Sequence, residues 1–281
     1  MLNFSKCGLA ALFAATAMPA FAADIYEPVP EPTPPQVVYQ EVSTGGWYLR
    51  GDLDYHWSKF RGGDYITYGG AVPIPGTNSF DFGKLKGAMS LGAGVGYQVN
   101  NYFRTDLTAD YWFKSDFNGQ TSDLVTVSTD TSSYSALLLL ANAYVDLGTY
   151  NRITPYVGAG IGGARVKWDD LRNQFPGVDD RHKGVASWRF AYALMAGASY
   201  CLTKNLHFDA GYRFTRIDGG RMFEYADSSA GGPGAGPGFD RGFNVHEVRG
   251  GLRYQFGAGK AECGEPEMVA YEPPAVEPVY K

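Results

Sequence analysis

The sequence predicts an all-β protein, an eight-stranded antiparallel transmembrane up-and-down β-barrel with a Pro-rich arm at each end. Three observations predict it. Eight segments alternate apolar and polar residues with the period of two that sends successive side chains to opposite faces of a sheet. Long polar loops and turns of a few residues join them in strict alternation. Beyond the N-terminal leader no stretch is apolar for the roughly 18 residues that a membrane helix needs, the longest uninterrupted one being Ala136 to Ala141. The 281 residues include 37 Gly, 20 Tyr and 17 Phe, which fits alternating strands with aromatic girdles. A formal net charge of −5 argues against a nucleic-acid partner, because phosphate binding requires concentrated Lys and Arg.

In chain order, Lys6 precedes an apolar run from Gly8 to Ala17, and Ala20-Phe21-Ala22 supplies the small-x-small pattern of a cleavage site. Residues 1–22 are therefore read as a signal peptide cut after Ala22, and the mature chain as exported. Residues 23–45, containing DIYEPVPEPTPPQVVYQEVST, read as an extended polyproline-like linker, residues 46–256 as the barrel and residues 257–281 as a second acidic, Pro-rich tail.

The first strand is expected over Trp47 to Ser58, with Trp47, Leu49, Leu53, Tyr55 and Trp57 opposing Arg50, Asp52, Asp54 and His56. Lys84 to Asn100 repeats the pattern with Lys84, Lys86, Ser90, three glycines and Gln98 on the polar face, and Asn100-Asn101 turns the chain into Tyr102 to Phe113. Ser133 to Leu147 is apolar on both faces in its first half. In Pro155 to Trp168, Gly158, Gly160 and Gly163 match the G-x-G-x-x-G spacing of a dinucleotide loop, but alternation and not a helix surrounds them, so they read as a glycine-rich strand. Its pattern slips near Arg165, as a bulge causes. Trp188 to Leu202, Leu206 to Thr215 and Phe243 to Phe256 complete the eight. The loops Lys59 to Phe82, Lys114 to Ser132, Asp169 to Ser187 and Arg216 to Gly242 are expected on one side; Thr149 to Thr154 and Thr203 to Asn205 are short turns on the other.

Long and short connections in alternation, an even strand number, an apolar aromatic outside and a polar inside are the features of outer-membrane barrels, and they place both termini in the periplasm. On NAYVDLG (Asn142 to Gly148), PYVGAGIGGARV (Pro155 to Val166), LGAGVGYQV (Leu91 to Val99) and LRYQF (Leu252 to Phe256), the chain resembles the small outer-membrane β-barrel proteins of the opacity-protein or porin-like family of Gram-negative bacteria. The resemblance spans about Trp47 to Phe256. It implies residence in the cell outer membrane among lipid and lipopolysaccharide, surface roles such as adhesion, and a terminal-strand signal, here Tyr254 and Phe256, read by the barrel insertion machinery. The tail beyond Phe256 departs from the family pattern, so that machinery must tolerate an extension.

An eight-stranded lumen is filled by side chains. The inward set is expected to be Arg50, Asp52, Asp54, Lys84, Lys86, Arg104, Asp106, Asp110, Asp146, Arg189, Asp209, Arg213, Glu247, Arg249 and Arg253, a nearly balanced network plugging the barrel, with inward glycines making room for side chains from across the lumen. The expected function is structural: envelope integrity, with the four loops displayed outside. A narrow channel for small solutes is the alternative. An enzyme is disfavoured, because His56 and His246, which the first and last strands bring near each other, lack a nucleophile motif. No metal-ligand spacing and no cofactor motif is present. The oxidising periplasm permits a disulfide between Cys201 and Cys263; a buried Cys201 with an unpaired Cys263 is the other reading. YEPVPEP from Tyr26 and YEPPAVEP from Tyr271 echo one another, so both arms either engage a periplasmic or cell-wall partner or are solvated linkers.

Overall fold

A computed structural model describes residues 45–67, 76–122, 126–226 and 235–257. The expected signal peptide, most of the linker and the tail from residue 258 lie outside them. Among the described residues, β1 (Gly46–Phe60) is followed by three short strands, β2 (Gly63–Thr67), β3 (Gly76–Ser79) and β4 (Phe82–Leu85). Then come β5 (Ala88–Gln98), β6 (Phe103–Ser122), β7 (Val127–Asp146), β8 (Ile153–Trp168), β9 (Leu171–Phe175), β10 (Val178–Gly184), β11 (Ala186–Cys201), β12 (Leu206–Ile217), β13 (Gly220–Ala226), β14 (Ala235–Asp240) and β15 (Phe243–Gln255). Eight of these, β1, β5, β6, β7, β8, β11, β12 and β15, pair antiparallel in that order, and β15 pairs back onto β1 to close the ring.

The register fixes the dimensions of that ring. Following paired residues from Trp47 through Tyr97, Thr105, Ala143, Ala159, Leu194, Phe214 and His246 leads back to β1 at Trp57, ten residues further on. Eight strands with a shear of ten tilt by about 40° and leave a bore that side chains fill. Outward positions are apolar: Trp47, Leu49, Leu53, Tyr55 and Trp57 on β1 and Leu107, Tyr111 and Phe113 on β6 are exposed. At one edge of this band Trp47 meets Tyr97 edge to face at 5.4 Å, and at the other Tyr111 meets Phe113 likewise.

The short connections form as the sequence predicts. The Asn100 side chain accepts from the backbone N–H groups of Tyr102 and Phe103 at 2.8 and 2.9 Å, an Asx turn. Tyr150 and Ile153 exchange both backbone bonds around Asn151 and Arg152, whose φ angles of 48° and 69° make the primed turn that matches strand twist.

The long connections are not simple loops. β2, β3, β4, β9, β10, β13 and β14, with the far ends of β6 and β7, continue the wall beyond the apolar band. These segments lack a clean polar alternation because their inward faces bury the aromatics Tyr65, Phe80, Phe117 and Phe223 and the aliphatic Leu85.

This extension corrects two details of register. Lys84 and Lys86 are exposed while Leu85 is buried, so the lysines belong to the outer face. The reason is a break at Lys86-Gly87 between β4 and β5, matched on β6 by a bulge in which Phe113 and Lys114 stand against the single Ser135, and faces swap across it. Conversely, β8 carries no bulge near Arg165: its pairing with β7 and β11 runs unbroken. The polarity of the faces inverts there instead, with Ala164, Val166 and Trp168 buried against exposed Arg165 and Lys167.

Candidate functional site

The interior has two layers. Toward the end that holds the short turns it is ionic. Arg213 on β12 gives two bonds to Glu247 of neighbouring β15, at 2.5 and 2.9 Å, and one to Asp110 of β6 at 2.8 Å. β6 lies four strands from β12 either way round an eight-membered ring, so this bond spans the bore. Arg249 meets Asp52 at 3.1 Å, Asp54 at 3.2 Å and Asp110 at 3.5 Å. Arg50 holds Asp52 through two bonds and reaches Asp106 and the Tyr144 hydroxyl at 3.2 Å each. Arg104 pairs with Asp146 at 3.1 Å and lies between the rings of Tyr144 and Tyr156, 4.5 and 4.6 Å from their centroids. Arg253 pairs with Asp209 at 3.2 Å and lies over Tyr48. Buried charges persist when each is paired and hydrogen-bonded, and a broken pair leaves a bare ion at a cost of about 3–5 kcal/mol.

The structure thus brings together Arg50, Asp52, Asp54, Arg104, Asp106, Asp110, Asp146, Asp209, Arg213, Glu247, Arg249 and Arg253. Lys84 and Lys86 are not among them. Arg189 is buried but apart, paired with Asp240 of β14 at 2.6 Å and bonded to the carbonyl of Arg221 at 2.9 Å.

Glycine makes the layer possible, though by a shorter reach than the sequence suggests. A Cβ on Gly92 would lie 2.3 Å from Asp110 Oδ1, on Gly96 2.3 Å from the Tyr48 ring and on Gly160 2.0 Å from Asn142 Oδ1. These side chains come from neighbouring strands, not from across the lumen.

Toward the extension the filling is aromatic, and sequence reasoning missed it. Phe60, Trp112, Phe117, Tyr134, Trp168 and Phe243 are buried, with Phe60 against Phe117 at 5.1 Å, Tyr134 stacked on Phe243 at 5.2 Å and Phe117 against Trp168 at 5.4 Å. Two of their polar atoms are bonded, the Tyr134 hydroxyl with Ser58 Oγ at 2.5 Å and Trp168 Nε1 donating to Asp240 at 3.1 Å, whereas buried Trp112 Nε1 has no partner among the described residues. In the extension, burial raises the carboxyl pKa of Asp240 against the lowering pull of Arg189, and burial raises that of Asp130, whose neighbours there are Asn173, Thr121 and Ser128. The Arg241 guanidinium bonded to half-buried Asp64 lowers its pKa.

The two histidines that the seam was expected to bring together lie on opposite faces. His56 points inward, fully buried and stacked on Trp112 at 4.9 Å. His246 points outward, stacked on Trp57 at 5.9 Å and bonded through Nδ1 to the Tyr212 hydroxyl at 2.5 Å. Alternation dictates this, since both residues sit in strands and their positions differ in parity across the seam: His56 pairs with Glu247, and Trp57 with His246. Tyr254 and Phe256 face outward at the turn end of the last strand, 5.2 Å apart edge to face. Cys201 is buried and disulfide-bonded; Cys263 lies outside the described residues.

A family model described as outer membrane protein beta-barrel domain matches residues 7–256. An uncharacterized protein of Brucella abortus (strain 2308) is 40% identical over 283 residues, covering 89% of this chain and 96% of its own. A putative adhesin of Rickettsia canadensis (strain McKiel) is 32% identical over 136 residues, 46% of this chain and 60% of the relative. Among solved structures, the outer membrane protein OprG from Pseudomonas aeruginosa aligns over 75% of this chain and 97% of its own, at 14% identity and a TM-score of 0.44. Neisserial surface protein A aligns over the same shares at 18% identity and a TM-score of 0.38.

Proposed function

Because the chain belongs to the outer membrane protein β-barrel family, we propose that it is a structural, non-catalytic barrel of the outer membrane, closed by its own side chains and contributing to envelope integrity and surface contact. One observation carries the reading: the Arg213 to Asp110 bond joins strands on opposite sides of the bore at 2.8 Å. A guanidinium held across the bore, with the aromatic layer above it, supports a closed lumen. The two layers also tie the wall to itself, a rigid scaffold on which the β-extension is held outside the cell. The likeness to a putative adhesin supports reading that extension as a contact surface.

A second reading has its own observation. The ionic layer holds seven carboxylates, Asp52, Asp54, Asp106, Asp110, Asp146, Asp209 and Glu247, against the five guanidiniums of Arg50, Arg104, Arg213, Arg249 and Arg253. That excess favours a narrow cation-selective path. Ion flux separates the two readings.

Three smaller assignments belong with the first. Cys201 and Cys263 pair, fastening the tail under the barrel; Tyr254 and Phe256 serve the insertion machinery; and the two acidic arms meet a periplasmic or cell-wall partner. Replacing Cys263 by Ser should abolish the mobility difference between reduced and oxidised protein on denaturing gels, and a difference that survives would refute the pairing. For the function as a whole, a strain deleted for the chain should become sensitive to detergent, with unchanged lipid chemistry, and regain resistance on complementation. Altered lipid A or phospholipid structure in the deletion would instead indicate an enzyme.

A further inference from the structure

The turn end of the barrel carries its exposed charge in one place. The short turns Val99 to Tyr102, Leu147 to Arg152 and Leu202 to Asn205 hold two charged residues, Arg152 and Lys204. These belong to neighbouring turns, because β8 pairs with β11 down to Ile153 and Tyr200. Both are exposed, and neither enters an ion pair among the described residues. Cys201 stands between them. Its backbone N–H donates to the Arg152 carbonyl at 2.9 Å, and Lys204 follows it within the turn that the Leu202 N–H closes onto the Leu206 carbonyl, also at 2.9 Å. The Cys201 side chain is buried on the inward face, in the cross-strand row of His207 and Arg253, and is disulfide-bonded.

The end of the last strand is held at the same turn. Asn205 Nδ2 donates to the carbonyls of Gln255 and Gly257 at 2.8 Å each. From there the sequence continues as AGKAECGEPE, residues 258–267, in which Glu262, Glu265 and Glu267 surround Cys263 against the single cation Lys260. The chain's remaining cysteine, Cys7, lies in the expected signal peptide, which leaves Cys263 as the partner of Cys201.

We propose that residues 258–267 dock on this rim as an acidic clasp, with the carboxylates of Glu262 and Glu265 against Arg152 and Lys204. The inference rests on the Cys201 to Cys263 pairing proposed above and adds to it the surface on which the tail lies. The stretch from Gly257 to Cys263 reaches at most about 20 Å when extended, and both its ends are tied to one turn, so it folds back along the rim. Exposed ion pairs are worth little singly, because holding two long side chains together costs entropy. A segment anchored at both ends has already lost that freedom and meets the cations at high effective concentration. The occupant is the chain's own tail and not a separate acidic protein, because the tail starts at the rim and carries the complementary charge. The seat is beside the bore, so ion flux through the lumen is a separate matter.

The test uses the full mature chain folded in detergent, with folding checked by heat-modifiable migration and thiols counted after denaturation. A carbodiimide, which condenses carboxylates with amines, should link Glu262 or Glu265 to Lys204 in oxidised wild type. Arg152→Glu, which touches neither linked group, should lower that yield roughly fivefold, as expected when an exposed pair becomes a like-charge contact, and should quicken hydrogen exchange over 258–267. Lys59→Glu, at the opposite rim, should leave both readouts unchanged. Combining Arg152→Glu and Lys204→Glu with Glu262→Lys and Glu265→Lys exchanges the charges and should restore the link. A disulfide-bonded wild type without the link, or a link and exchange rates that Arg152→Glu does not alter, would overturn the docking alone. Two titratable thiols in wild type would refute the pairing and the docking with it.

Discussion

At the scale of single residues, the barrel turns on arginines whose partners cannot move away. Arg213 is fully buried and bonded to two carboxylates, so Arg213→Leu strands Glu247 and Asp110 in the bore and should cost about 3–5 kcal/mol in urea unfolding of the folded barrel. Arg172, paired with Asp179 on an exposed hairpin, should be replaceable by Leu with no shift of the midpoint. Gly160 tests the packing of the same layer. A valine there meets Asn142 Oδ1, whose amide is held by bonds from Nδ2 to Asp106 and Thr108, so Gly160→Val should reduce the yield of heat-modifiable barrel far below that of Gly177→Val, whose surroundings are open apart from its φ of +83°. Twelve of the fifteen residues expected in the ionic network could be read from sequence because period-two alternation assigns faces without any tertiary knowledge. Lys84 and Lys86 fall on the other face because the break at Lys86-Gly87, matched by the bulge at Phe113-Lys114 on the paired strand β6, changes parity, and no local pattern records it.

At the scale of elements, the long connections carry the largest surprise. Their strands were not legible because pairing partners such as β2 and β14 are far apart in sequence, and β13 and β14 are only seven and six residues long. A clue was nonetheless present in β8, where charged residues move to the outer face while the strand continues. The aromatic layer gives the extension its stability. Phe117 contacts Phe60, Phe80 and Trp168, so Phe117→Ala should cost about 3–5 kcal/mol locally and admit protease to β4 and β9 while the membrane band stays resistant. Equal resistance of the two regions would contradict that layer's role. The extension should also respond to pH. Burial raises the folded pKa of Asp130 above the unfolded value of about 3.9, so folding here favours the protonated form. Its stability is therefore greatest below the unfolded pKa and falls as pH rises through the folded one. Hydrogen exchange over Val127–Thr131 and Leu171–Phe175 should quicken across that window beyond the intrinsic pH effect, and Asp130→Asn should remove the dependence.

At the scale of the whole molecule, the chain is an outer-membrane barrel whose outside is written for lipid and whose inside is written for itself. The ring, its shear of ten and its primed turns follow from ordinary strand physics, and the sequence carried their number and order. What alternation did not reveal is that the interior changes chemistry along the axis, from ions to rings, since that requires knowing how far the strands outrun the membrane. The proposed closed lumen depends on both layers together. Either layer alone leaves one level of the bore blocked, so single removals should keep the barrel silent. The most direct test is ion current through purified, folded full-length protein in planar bilayers, recorded for wild type and for a variant combining Asp110→Ala and Arg213→Ala with Phe60→Ala and Trp168→Ala. Wild type should show no steady conductance while the combined variant, once folded, conducts; a steady wild-type current with an ion-size cutoff would contradict the closed barrel and establish the narrow channel in its place.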